Sequence, residues 1–260
     1  MSKQIISFAY HQGDVKETLA VSKDEGNRNM MIFDCPEPQT PFAPPKPQWC
    51  VFESVGWDLD MDVLRDFFLS KEQFIRDIAT PEPDVAPQAP SLTQRLRKYN
   101  IFMWEDECSE LTKLRKCIKR FHKEYIRTVF EDPNRKWDGK RMMIRSWFNI
   151  LRRGEQIGNH IHSTHPHSYL AGNMVITCDE SQTIYCHPLY QLEDGYKYYS
   201  NNKPGTISLF PGTVPHFTSV HQTDTPRITL GWDLTTLNDP GSILYPVSYT
   251  HLTLPTNHDV

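Results

Sequence analysis

The chain has 260 residues, with 28 Lys and Arg against 32 Asp and Glu, a formal net charge of −4, 23% charged and 12% aromatic residues. That length gives one or two domains with a buried core, and the composition excludes wholesale disorder. A mildly acidic chain lacks the basic surplus that general nucleic-acid binding needs, and no apolar run approaches the ~18 residues of a membrane span. The first ten residues show neither the basic nor the apolar region of a signal peptide, so a cytoplasmic protein is expected.

In chain order, residues 1–55 are polar and then proline-rich, with Pro36, Pro38, Pro41, Pro44, Pro45 and Pro47. This density forbids a helix and predicts an extended arm. The region 56–140 is expected to be helical support. Apolar residues from Met61 to Ile78, mostly at steps of three and four, predict an amphipathic helix over 60–78. Four prolines between Thr80 and Pro90 end it. Leu111, Leu114, Ile118, Phe121, Tyr125 and Val129 form one stripe of a second helix over 106–130, with Asp106 as its expected cap. Its basic face, flanked by Glu107 and Glu110, reads as solvated.

From Arg141 the period changes. The segments 142–150, 169–177, 183–186, 206–210, 216–220 and 227–234 are short, rich in β-branched or aromatic residues, and separated by Gly, Pro, Asn or Asp. This is the punctuation of a sandwich or barrel. Helices first and strands afterwards predict an α+β class, with the N-terminal helices packed on one side of a β-core spanning 141–245. The six cysteines (Cys35, Cys50, Cys108, Cys117, Cys178 and Cys186) form no C-x-x-C pair and read as reduced thiols. Residues 246–256 (PVSYTHLTLPT) resemble the translation of a transposon-type sequencing adapter. The segment 246–260, with His251 and His258, is therefore not expected to belong to the protein's fold.

Histidine carries the chemistry. Four of the eleven histidines, His160, His162, His165 and His167, fall within eight residues. On a strand, His160 and His162 would present both imidazoles to one face, as two ligands of one metal require. A second segment runs through Leu209-Phe210-Pro211-Gly212 to Pro215-His216, and eleven residues later Arg227-Ile228-Thr229 opens another strand. His165 and His167 rank below the first pair, because Pro166 breaks strand geometry. His187 and His221 read as surface or core residues, and Asp179 is the nearest stray carboxylate.

Residues 141–234 resemble the double-stranded β-helix (jelly-roll) core of the Fe(II)- and 2-oxoglutarate-dependent oxygenases. Within that superfamily the similarity is greatest to a subgroup frequent in phage and marine microbial genomes. The elements that carry it are Trp147-Phe148-Asn149-Ile150, His160-Ile161-His162, Ser168-Tyr169-Leu170-Ala171-Gly172, Leu209-Phe210-Pro211, Pro215-His216, and Arg227 through Asp233-Leu234. The resemblance implies a dioxygenase that uses O2 and decarboxylates 2-oxoglutarate to succinate, with Fe(II) held by His160, His216 and, where the superfamily has Asp, His162. It assigns Arg227 and Thr229 to the far carboxylate of 2-oxoglutarate. Asn149 and Tyr169 either face the cosubstrate or pack in the core.

His162 in place of Asp removes the one negative charge of a 2-His-1-carboxylate site, so the centre would lean harder on 2-oxoglutarate and Arg227. Alternatively His162 turns away. Two competing readings remain. Gly154 and five residues before His160, and Gly205, Pro211 and His216 at cupin-like spacing, resemble a three-histidine cupin, although its acidic ligand is missing and Arg227-x-Thr229 has no use there. The other is a non-catalytic jelly-roll module. The substrate is not legible; the insert 190–199 (YQLEDGYKYY) reads as a lid or as barrel packing.

Overall fold

The computed structural model describes residues 6–8, 17–18, 28–33, 39–41, 49–54, 57–77, 99–129, 142–189, 197–200, 202–236 and 243–245. The proline run after the first helix, most of the 190–199 insert and the 246–256 segment lie outside the described residues, as does most of the N-terminal arm.

The first helix, α1, spans Met61–Arg76. Asp60 is its cap rather than its first residue: Oδ1 accepts from the N–H groups of Asp62 and Val63 at 3.1 and 3.0 Å. Leu64, Phe68 and Ile75 are buried, while Phe74 is 56% exposed and falls off the apolar face. The second helix, α2, spans Ser109–Val129 and starts later than the expected 106. Asn100 caps a 3-10 turn at Ile101–Trp104 instead, accepting from Phe102 N. The turn then closes with Glu107 N and Cys108 N both donating to Trp104 O. Asp106 is spent in that turn and does not cap the helix. Leu111, Leu114, Ile118, Phe121 and Tyr125 are buried, as their spacing requires.

The strands are β1 (Ile6–Phe8), β2 (Glu17–Thr18), β3 (Arg28–Phe33), β4 (Trp49–Ser54), β5 (Met142–Leu151), β6 (Ser168–Thr177), β7 (Thr183–Cys186), β8 (Lys197–Tyr199), β9 (Ile207–Pro211), β10 (His216–Thr218), β11 (Arg227–Thr235) and β12 (Ile243–Tyr245). They form a nine-stranded sheet, ordered β12-β5-β11-β6-β9-β4-β3-β1-β2, and a three-stranded sheet, β10-β7-β8. At the centre, β5, β11, β6 and β9 pair antiparallel although none follows its neighbour in sequence. An isolated bridge between His160 and His216 adds a further rung beside β10. This crossing of the chain between two facing sheets is the double-stranded β-helix. The N-terminal arm is not merely draped over it. Its strand β4 pairs with β9 through Phe52 and Leu209, Glu53 and Ser208, and Ser54 and Ile207, and so covers an edge whose backbone groups would otherwise be open.

Both faces of the large sheet are covered, so β5 shows almost no alternation in burial. The outer face packs on α1 and α2 through a cluster that includes Phe68, Phe121, Phe148, Met174 and Trp232. Between the sheets lie Val51, Ala171, Tyr185, Phe210 and Val214. A buried carboxylate, Glu53, also sits there and is satisfied by hydroxyls: it accepts from Tyr198 Oη at 2.6 Å, from Ser208 Oγ at 3.1 Å and from Ser200 Oγ. Two glycines allow tryptophans to lie flat across the sheet. A Cβ at Gly172 would meet the Trp232 ring at 2.4 Å, and one at Gly231 the Trp147 ring at 2.8 Å. Cys108, Cys117, Cys178 and Cys186 are free thiols. No helix among the described residues is long and apolar enough to cross a membrane.

His122 ties the helical layer to acid stability. It is buried on α2 with Nε2 3.1 Å from Tyr169 Oη, and burial lowers its imidazole from 6.5 to about 4. Above pH 6.5 neither folded nor unfolded chain carries the extra proton. As the pH falls toward 4 the unfolded chain binds it and the folded chain does not, so stability drops by up to about 1.4 kcal/mol per pH unit. His122→Gln is expected to remove one proton's worth of this slope, measured by urea unfolding of the metal-free protein from pH 7 to 4. An unchanged slope would contradict it.

Candidate metal centre

His160 and His162 do not lie on a strand. The chain from residue 157 to 167 is irregular apart from the single bridge at His160, so the alternation argument does not place their rings. Backbone bonds to the β9–β10 turn place them instead. His160 N donates to His216 O and His216 N to His160 O, each at 3.0 Å. His162 N then donates to Gly212 O at 2.8 Å, across the Pro211-Gly212 turn. The loop is thus pinned to the segment that bears the third histidine.

The three imidazoles converge: one ring nitrogen from each of His160, His162 and His216 lies within 4.8 Å of the others. His162 does not turn away; its Nε2 is 3.2 Å from His216 Nε2. The opposite nitrogens explain why these atoms are free for an ion. His160 Nδ1 lies 2.8 Å from Gly158 O, His216 Nδ1 3.0 Å from Val214 O, and His162 Nδ1 2.6 Å from Asp233 Oδ1. Carbonyl and carboxylate oxygens only accept, so each Nδ1 carries a proton and, in the neutral ring that binds a metal, each Nε2 presents a lone pair. Two such nitrogens 3.2 Å apart are reconciled by a cation between them, a shared proton or a metal ion. A metal with N–metal bonds of ~2.0–2.1 Å spaces neighbouring ligand atoms by about that distance. The donor set therefore fits a borderline divalent ion.

Burial reinforces the neutral state that a metal needs. It lowers the His160 imidazole from 6.5 to about 4, with the nearby His162 adding to the effect. His216, 6% exposed, is held well below its ordinary value by burial first and then by His160.

The cluster opens on a pocket of about 480 Å³, counting its open mouth. Arg227, Thr229, Asn149, Thr183 and Trp147 line it with the three histidines. Arg227 opens β11 and is 1% exposed. Its Nη2 donates to Thr183 Oγ1 at 2.9 Å, and its Nε has no hydrogen-bond partner. Burial lowers its pKa below the ordinary arginine value, an effect offset in part by Cys178 and Tyr185. Among the described residues no carboxylate pairs with this guanidinium, so a buried cation faces the pocket without a counter-charge. Thr229 and Asn149 are register partners on β11 and β5 and both reach the pocket.

Tyr169 does not. The β6–β11 register passes from Leu170 with Leu234 directly to Ser168 with Thr235, leaving Tyr169 as the extra residue of a bulge. The side-chain alternation breaks there, and Tyr169 packs on the helical layer against His122, with ring centroids 5.3 Å apart. His165 and His167 stack on each other at 5.1 Å on the exposed side of the loop and do not join the cluster. His221 is buried against Ser181 and Thr225, and His187 is buried with Nδ1 accepting from Leu189 N. Asp179 sits on an exposed turn. The carboxylate that does approach the centre, Asp233, was missed as a participant. The available signal was its parity: Arg227, Thr229, Gly231 and Asp233 alternate on β11, so all share its pocket side.

No family model matches the sequence, and no curated protein matches it. Among solved structures, the chain is similar to a prolyl-4-hydroxylase from Pseudomonas putida, with 11% identity, 71% of this chain and 91% of that chain covered, and a TM-score of 0.42. It is also similar to a prolyl hydroxylase from Trichoplax adhaerens solved with a hypoxia inducible factor peptide, with 9% identity, 72% and 83% covered, and a TM-score of 0.48. A third is SnoN, a non-heme α-ketoglutarate-dependent epimerase of nogalamycin biosynthesis, with 9% identity, 77% and 93% covered, and a TM-score of 0.47. At this degree of likeness no chemistry transfers from those proteins, and the residues of the pocket have to supply it.

Proposed function

We propose that this chain is an Fe(II)- and 2-oxoglutarate-dependent dioxygenase of the hydroxylase type, converting 2-oxoglutarate and O2 to succinate and CO2 as it oxidises an unidentified substrate. One observation carries the reading: three imidazole nitrogens that fit a divalent ion share a pocket with a buried guanidinium lacking any anionic partner. The order of motifs from Trp147 to Asp233 further supports the phage and marine subgroup.

In this reading His160, His162 and His216 hold the metal, with Nδ1–H groups donated outward so that the Nε2 lone pairs stay aimed inward. When bound, iron supplies the activation of O2 and the redox chemistry that decarboxylates the cosubstrate. Arg227 binds the far carboxylate of 2-oxoglutarate with its unused Nε–H, because a guanidinium fork suits a carboxylate and an anion relieves an otherwise uncompensated buried charge. Thr183, already holding one arm of Arg227, fixes the fork, and Thr229 offers a hydroxyl beside it. Trp147 and Phe210 border the His162 ring, with centroids 5.6 and 5.8 Å away, and keep water from that side.

The test is anaerobic addition of Fe(II) and then 2-oxoglutarate to the metal-free protein. A visible metal-to-cosubstrate charge-transfer band is expected, and succinate should form on admitting air. A protein that binds Fe(II) but shows no band and no 2-oxoglutarate binding would be a metal-holding cupin or binding module instead.

A further inference from the structure

Three neutral imidazoles leave a divalent ion with its full charge, yet a carboxylate stands one imidazole ring further out. Asp233 Oδ1 lies 2.6 Å from His162 Nδ1, a short contact for a nitrogen and an oxygen. His162 is the residue that stands where the resembling oxygenases carry their acidic ligand. The other two histidines donate to backbone carbonyls, Gly158 O and Val214 O, so the carboxylate serves only this one.

The geometry points to Asp233 as a positioning residue that supplies the metal, through the His162 ring, with the negative charge a directly bound carboxylate would give. The inference rests on the metal-centre reading above. Asp233 cannot itself reach an ion held at Nε2 while it occupies Nδ1, on the far side of the ring. A carboxylate on the distal nitrogen of a ligating imidazole fixes its tautomer and orientation and makes Nε2 a more basic donor. The formal charges agree: Fe(II), dianionic 2-oxoglutarate and one aspartate sum to −1 whether the aspartate binds the ion or stands behind an imidazole. The competing partner is Arg145, opposite Asp233 in the β5–β11 register, whose Nη2 is 3.9 Å from the other carboxylate oxygen, Oδ2. That contact is long, so the nearer interaction is with His162.

The experiment uses the full chain and Co(II) as the probe, titrated by its visible absorption and by calorimetry, with the melting temperature of the metal-free protein as the folding control. Asp233→Asn, which keeps an acceptor oxygen and removes the charge, is expected to weaken Co(II) binding by about 10–100-fold. Arg145→Gln, which breaks the longer contact, should leave binding unchanged. With Fe(II) and 2-oxoglutarate, the charge-transfer band of Asp233→Asn should move to shorter wavelength, because a less electron-rich iron gives up its electron less readily. If the asparagine variant does not fold, Asp233→Ser supplies the same uncharged comparison. Wild-type affinity in the uncharged variant overturns the role of Asp233 and leaves the metal centre standing. Equal losses in Asp233→Asn and Arg145→Gln would reduce Asp233 to a strand-pairing residue and also overturn it. Failure of the wild-type protein to bind Co(II) would overturn the metal centre itself.

Discussion

His216→Ala is expected to abolish metal binding and, with it, the proposed turnover of 2-oxoglutarate. Of the three imidazoles this one is central: its Nε2 lies 3.2 Å from that of His162, and its ring centroid 4.3 Å from that of His160. The substitution spares the architecture, because the bridge that pins the His160 loop is made by the backbone of His216 and not by its ring. Losing a hydrogen-bond partner behind a ligand costs ~10–100-fold in metal affinity, and losing the ligand costs more. Metal content after anaerobic loading, Co(II) titration and succinate formation all report the effect. His165→Ala is the matched control: this ring stacks only on His167 in the exposed part of the same loop and should change none of the three. If His216→Ala retains stoichiometric metal, the three-imidazole centre is wrong.

The second large effect has opposite signs in two measurements. Arg227→Met is expected to weaken 2-oxoglutarate binding and to stabilise the ligand-free protein. Removing one member of a buried, hydrogen-bonded charge pair costs about 2–5 kcal/mol, which is ~30-fold or more in the affinity for 2-oxoglutarate. Without an anion, however, Arg227 is a cation 1% exposed, with a lone hydroxyl partner for Nη2 and none for Nε. Replacing such buried charge by an apolar side chain of similar volume is often neutral or stabilising by about 1–4 kcal/mol. Denaturant midpoints of the ligand-free proteins and a 2-oxoglutarate titration of the metal-loaded ones give the two numbers. A purely structural arginine would lose stability and leave cosubstrate affinity alone, and that pair of results would refute the assignment. Arg227→Lys should rescue only part of the affinity, because an ammonium cannot reproduce the planar fork.

Much of the fold was legible because periodicity is local. The stripe from Leu111 to Tyr125 is buried as read, and 183–186 is strand β7 to the residue. Where the boundaries moved, a neighbouring bond decided them. Asp106 lost its capping role to a turn closed on Trp104 O, and the strand expected over 216–220 ends at Thr218, after which Ser219 N turns to Gln182 O. Tyr169 was unreadable for a sharper reason. A single extra residue in the β6 register reverses which face a side chain takes, and no composition signal marks it.

The amino-acid sequence by itself determined the inventory: two amphipathic helices, then short punctuated strands, the histidine pair, the distant His216, and an arginine opening the last core strand. Those are properties of residue type and spacing, and they persist in any fold the chain adopts. Only the tertiary structure decided that the histidine pair sits on a pinned loop instead of a strand, that Trp49–Ser54 joins the large sheet beside β9, and that Asp233 stands behind His162. These depend on contacts between residues far apart in the chain, such as His162 with His216 at 54 positions, His162 with Asp233 at 71 and Glu53 with Ser208 at 155. Pairings of that range are set by which strands the double crossing brings side by side, and no local pattern of side chains encodes them.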